Sequence, residues 1–233
     1  MSKIHIILGK NEASFSKNSK NYFFSPLNRA LENVTNICYE VESEEGVIAL
    51  LAYFLCKREK LNKEQIDFLE SLDIGYLSSE CNVGEEELEE LQNLIKDSKE
   101  ALFEVGKDLL YHKRFANIQA LLHLLKESLT LQCNFALNNK RLSAIGEISE
   151  NNGLIVYLQK DEKKKPLLEV SKQFALIGKI KEECEVEVAF FDKEIETIKA
   201  DLKIRDDFKG NVGLLQGIEW GNKFCYQKIS LKA

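Results

Sequence analysis

Hydrophobic positions along the chain fall into two textures that meet near Gly146. In the first, short apolar runs alternate with longer stretches whose apolar residues recur every three or four places. Lys3–Leu8 (KIHIIL) is short and isoleucine-rich, and Gly9 and an Asn/Ser-rich stretch follow it, so it reads as an opening strand running into a loop. Asn21–Asn28, which holds Pro26, reads as irregular. In Glu45–Lys57, Val47, Leu50, Leu51, Phe54 and Leu55 give helical spacing, and the near-continuous apolar run predicts a well-buried helix. Asn62 with Gln65 three places on is a capping-box signature for a helix over Asn62–Leu72.

The stretch Asp73–Leu91 (DIGYLSSECNVGEEELEEL) predicts a break at Gly75 and Ser78–Ser79, then a helix start after Gly84. Acidic residues favour a first helical turn, and Leu88, Leu91, Leu94 and Ile95 supply the apolar stripe. Ala101–Val105 reads as a buried strand ending at Gly106, Asn117–Leu129 as a helix, and Leu131–Leu137 as a strand. That alternation predicts an α/β fold, a mostly parallel sheet with flanking helices on both faces.

Beyond Gly146 the texture is β-rich. Leu154–Gln159, Phe174–Ile180, Val186–Phe191, Leu202–Ile204 and Phe224–Leu231 are short strand candidates separated by charged or glycine-bearing linkers. The expected organisation is an α/β domain over 1–145 and a smaller β-rich domain or extension over 146–233. The boundary falls near 140–152, where Asn138–Asn139 and Asn151–Asn152 lie. No internal repeat is visible.

Charge removes one class of partner. The formal net charge is −6, which argues against a duplex nucleic-acid binder, and Lys163, Lys164 and Lys165 are a thin basis for a basic patch. No apolar run approaches the roughly 20 residues needed to cross a bilayer, and the N-terminus lacks the pattern of a signal peptide. The expected location is cytoplasmic, with membrane association only through partner subunits. The six cysteines (Cys38, Cys56, Cys81, Cys133, Cys184, Cys225) form no CxxC pair, so they read as small buried hydrophobes rather than zinc or iron–sulfur ligands.

Candidate chemistry is sparse. His5 alternates with isoleucines inside a strand, His123 sits among leucines, and His112 falls at a loop or helix edge. No pair has metal-binding helical spacing, and neither a P-loop nor a GxSxG elbow is present. Gly9 lacks the following glycines that wrap a pyrophosphate, and the FKGNVG stretch reads as a tight turn. Glu80 and Asp108 are weak candidates to line a cleft. The sequence therefore nominates no catalytic, cofactor-binding or metal-binding residue. It nominates surfaces: Glu85, Glu86, Glu87 and Glu89 as an acidic face for a basic partner, and Trp220 and Phe224 as aromatic anchors that serve equally as core.

Two stretches, LDIGYLSSECNVGEEELEEL (Leu72–Leu91) and LFEVGKDLLYHKRFANIQALLHLL (Leu102–Leu125), resemble parts of the large iron–sulfur subunit of bacterial NADH–quinone oxidoreductase, respiratory complex I. The likeness lies in the region similar to molybdopterin-containing oxidoreductases. It is closest to the version of the complex in Campylobacter, Helicobacter and relatives, and covers about residues 46–137. It implies an α/β module of the peripheral arm without a functional molybdenum cofactor. The chain departs from that large subunit in lacking the cysteine-rich ferredoxin-like region and in being far shorter. Two readings follow from the resemblance: a small, separately encoded companion of the large subunit, which the Met1 start favours, or an excised piece of a larger subunit.

The expected function is thus a noncatalytic, cofactor-free subunit of a complex I-like enzyme. It would dock on the peripheral arm beside other complex I subunits and support electron entry from a donor protein. The competing expectation is a standalone redox protein holding a flavin or nucleotide in the crevice of its α/β sheet.

Overall fold

The computed structural model describes residues 3–10, 15, 17–98, 100–138, 140–160, 165–192 and 194–232. Asn139, Lys163 and Lys164, named above, lie outside them. The chain divides into two compact units, 1–25 with 31–150 and 26–30 with 151–233.

The first unit is built on a five-stranded, all-parallel sheet. Its strands are β1 (Lys3–Leu8), β2 (Ser19–Phe24), β4 (Val34–Ile37), β5 (Glu100–Val105) and β6 (Thr130–Cys133), in the order β4-β2-β1-β5-β6. The short β3 (Asn28–Arg29) belongs to the second unit, where it pairs with β11 (Phe208–Lys209). The chain therefore moves outward from β1 to β4, then crosses back to continue from β5 to β6. The helices are α1 (Glu44–Leu55), α2 (Lys63–Glu70), α3 (Ile74–Cys81), α4 (Glu85–Lys96) and α5 (Phe115–Lys126).

These elements match the α/β expectation, with one difference. Helices α1 to α5 share a single core with Ile4, Ile6, Leu8, Tyr22, Phe24, Phe103 and Val105, which are alternate residues of the strands. Right-handed crossovers explain this. All five helices lie in connections that run in the same direction across the sheet, which puts them on one face. The opposite face carries Phe23, the neighbour of Phe24 in β2. There Phe15 packs edge-on against Phe23, with ring centroids 5.7 Å apart.

Several local readings change. Asn21–Phe24 is part of β2, because Phe23 and Phe24 bury on opposite sides of the sheet. The predicted break at Gly75 and Ser78–Ser79 is helix α3. Asp73 caps it by accepting from the Tyr76 amide at 3.0 Å. The chain breaks at Asn82 instead, in the left-handed conformation (φ 55°). Leu131–Leu137 is strand only to Cys133.

The second unit is a closed six-stranded barrel in the order β10-β8-β12-β7-β13-β9. Its strands are β7 (Leu154–Gln159), β8 (Leu167–Val170), β9 (Glu185–Phe190), β10 (Ile198–Ile204), β12 (Val212–Gln216) and β13 (Tyr226–Lys232). Phe174–Ile180, expected as strand, lies largely in helix α6 (Lys172–Ile177), capped by the Ser171 hydroxyl accepting from the Phe174 amide at 2.9 Å. Exchanging β7, β8, β9 with β10, β12, β13 leaves every pairing and its sense unchanged: β7 is parallel to β12 as β10 is to β8, and β7 is antiparallel to β13 as β10 is to β9. The barrel is a topological duplication that the sequence does not show as a repeat. Its interior is filled by Val156, Leu158, Leu168, Phe174 and Leu215.

Candidate functional site

An open parallel sheet offers its ligand crevice at the carboxyl ends of the strands, where the strand order reverses. Here that point lies between β1 and β5, at Gly9 and Gly106. The two loops touch backbone to backbone. Gly9 is left-handed (φ 72°), its carbonyl accepts from the Asp108 amide at 3.0 Å, and the Gly106 amide donates to the Leu8 carbonyl at 2.8 Å. A Cβ on Gly106 would overlap the Gly9 carbonyl oxygen. The glycines bring two protein loops together instead of admitting a pyrophosphate.

The polar groups beside this contact are engaged with one another. Lys10 donates to Glu104, whose other carboxylate oxygen lies 3.1 Å from His5 Nε2. Burial alone pushes the Glu104 carboxyl up, but the Lys10 ammonium and the His5 ring together hold it below the usual range. Asp108 lies in the short turn after β5, and Glu80 near the end of α3.

A second cluster lines the same edge at the start of α1. Its carboxylates are buried, Glu44 to 1% and Glu45 to 4% exposure. Glu45 accepts from four donor contacts: Arg114 Nε to both oxygens at 3.1 Å, Asn117 Nδ2 at 2.6 Å and the Gly146 amide at 2.9 Å. His112 Nδ1 accepts from the Arg114 amide at 3.0 Å, which in the neutral ring leaves the proton on Nε2. Nε2 lies 3.3 Å from the Glu42 carbonyl and 3.4 Å from Glu44. Tyr39 adds a long contact to Glu44, at 3.5 Å. This His–Glu pair has the composition of a general acid–base site, yet it is enclosed by protein.

Sequence reading missed this cluster. A signal was present: an α1 apolar all round must be buried, so acids in its first turn must be buried too and need partners.

The nominated acids behave differently. Glu85, Glu86, Glu87 and Glu89 are all exposed on α4. Glu87 also caps the helix by accepting from the Gly84 amide at 3.1 Å. From Asn62 to Asp97 there are eleven acids and two lysines, a local balance of −9 against −6 for the chain, so the remaining residues carry +3. Among the described residues, one cation lies within ion-pair distance of those acids, Arg141 at 3.8 Å from Glu64.

Trp220 is half-buried against the barrel core, and Phe224 packs against Tyr226 at 5.6 Å, with Tyr226 continuing to Tyr157 at 5.1 Å. The six cysteines are free thiols. Burial pushes Cys56 and Cys81 up to about 12 and Cys38 to about 11, so these thiols stay protonated at neutral pH. Among the described residues no cluster of three His, Cys, Asp or Glu side chains is placed to hold a metal, and no helix is long and apolar enough to cross a membrane.

A depression of about 670 Å³ lies at the opposite, amino-terminal edge of the sheet, bordered by Cys56, Arg58, Lys96, Ala101 and Thr130. Arg58 stacks on Tyr53 and donates to its carbonyl, while nearby Lys60 donates to the Glu127 carbonyl. These cations serve the carboxyl ends of α1 and α5, as helix dipoles favour.

No protein-family model matches the chain, and no curated protein matches it.

Proposed function

We propose that this chain is a noncatalytic, cofactor-free subunit of a complex I-like NADH–quinone oxidoreductase, docking on the peripheral arm and supporting electron entry. The observation that carries the noncatalytic part is the closed carboxyl edge. Gly9 and Gly106 meet backbone to backbone, and the Lys10–Glu104–His5 and Glu45–Arg114–Asn117 groups satisfy one another. A flavin or nucleotide in that crevice, the competing reading, has to displace all of these contacts. The partner's identity rests on the resemblance to the large iron–sulfur subunit of complex I, carried by the two stretches that span α3–α4 and β5–α5. The strongly acidic face of α2–α4 supplies a means of docking, since complementary charge speeds encounter and rejects wrong partners.

Affinity capture of the tagged full chain from its native membranes tests this. The proposal expects complex I subunits in the eluate, released by salt, and no visible absorption from the chain alone. Repeated capture without any of those subunits refutes it.

A further inference from the structure

Residues 134–150 form no regular secondary structure among those described, yet the α/β unit binds them closely. Most of the binding goes to their backbone. Gln119 donates to the Ala136 carbonyl at 3.0 Å. The Asn117 amide grips Ser143 from both sides, donating to its carbonyl at 2.9 Å and accepting from its N–H at 2.8 Å. Arg114 donates to the Ala144 carbonyl at 2.6 Å and to the Ser143 hydroxyl at 3.3 Å. Lys113 reaches the Ser149 hydroxyl at 3.0 Å. Leu142, Ile145 and Ile148 pack against the core at every third residue, the period of an extended threefold chain.

One contact differs in kind. The Gly146 amide points at Glu45, a carboxylate that also takes Arg114 and Asn117. Glu45 stands in the first turn of α1, where a bound anion is favoured. Guanidinium, side-chain amide and backbone N–H converge there as they would on a ligand's carboxylate. A side chain at Gly146 would crowd the pair: a Cβ would lie 3.1 Å from Arg114 Nε and 3.3 Å from Glu45 Oε2.

From this the structure assigns a carboxylate-binding cradle, formed by Arg114, Asn117 and the Gly146 amide and filled in cis by Glu45, with 140–150 as a strap latched over it. The hydrogen bonds to Arg114, Asn117 and Glu45 run from the strap to the rest of the unit, and on that basis it opens as a unit while the sheet and helices stay folded. Opening withdraws the Gly146 amide and exposes the Arg114–Asn117–Glu45 group at the carboxyl edge. This inference is independent of the partner proposed above.

Hydrogen exchange on the full chain tests it. In the natural sequence, the Ser143 and Gly146 amides exchange at similar rates, at least tenfold faster than amides of β1 and α1. In Glu45→Ala they accelerate roughly tenfold further, whereas β1 and β5 change less than twofold. Sodium acetate then restores strap protection saturably in Glu45→Ala and leaves the natural protein unchanged. If Glu45→Ala does not fold, Asn117→Ala serves instead, and should speed Ser143 exchange selectively. The assignment is overturned if strap amides exchange only with the whole unit, or if acetate restores nothing in a folded Glu45→Ala. It is also overturned if Asn117→Ala leaves Ser143 unchanged or loosens strap and helices alike.

Discussion

At the carboxyl edge of the sheet, Glu45, Glu104 and Arg114 all find charged partners within the chain; from α2 to α4, all the acids but Glu64 lack a cation within ion-pair distance among the described residues. Both regions are rich in charge, but their consequences differ. A buried carboxylate must be matched by donors or it destabilises the fold, so the edge is fixed in composition and geometry. An exposed carboxylate costs almost nothing alone, so the helix face is free to carry a large excess of one sign. Titratable groups therefore do not by themselves mark a reactive site. At the edge they hold the fold together, and on the helices they shape the field that a partner meets.

The largest effect at the edge is expected from Gly106→Ala. Its methyl group would collide with the Gly9 carbonyl, forcing the β1 and β5 loops apart. The expected loss is about 3 kcal/mol in urea unfolding of the first unit. A near-neutral result would mean that the loops have slack, and the crevice would not be closed.

The edge owed little to any pattern visible beforehand. Strands Lys3–Leu8 and Leu154–Gln159 and the apolar α1 were legible because periodicity and length reflect burial directly. The parallel sheet followed from their alternation. The Glu45–Arg114 pairing joins residues 69 places apart, and only the crossover from β4 to β5 brings them together. Such separation leaves no local trace. The all-on-one-face helix arrangement was hidden for the same reason, since it depends on strand order rather than on any one segment. Helix α6 was read as strand because its apolar run, Phe174–Ile177, is too short to show a period. The acidic face, in contrast, was evident at once because α4 carries its acids nearly consecutively.

A milder test of the edge is Lys10→Met, which leaves Glu104 with His5 alone. The expected cost is about 2 kcal/mol at neutral pH. Its pH dependence sharpens the point. Because the Glu104 carboxyl is held below its ordinary value in the folded chain, its contribution is complete above the unfolded carboxylate range. It is lost as pH falls through the lower folded value. Lys10→Met should therefore lose least relative to the natural protein in acid, and its stability–pH curve should be flatter there.

The smallest effect on stability belongs to the helix face. Replacing Glu85, Glu86, Glu89 and Glu90 together with glutamine should change unfolding by no more than about 0.5 kcal/mol, because among the described residues none has a cation within ion-pair distance. Glu87 is left in place because it caps α4. Partner capture at low salt should fall roughly tenfold, and the difference should fade as salt screens the field.

On the proposed function, the carboxyl edge of the parallel sheet is filled by the chain's own groups in place of a redox cofactor. Titration of the purified full chain with flavin mononucleotide, followed by flavin fluorescence and by the amide signals of Gly9, Lys10 and Gly106, tests it most directly. No saturable response is expected up to about 1 mM, which corresponds to only about −4.1 kcal/mol of binding. Saturation at one flavin per chain, with those three amides shifting together, would contradict it.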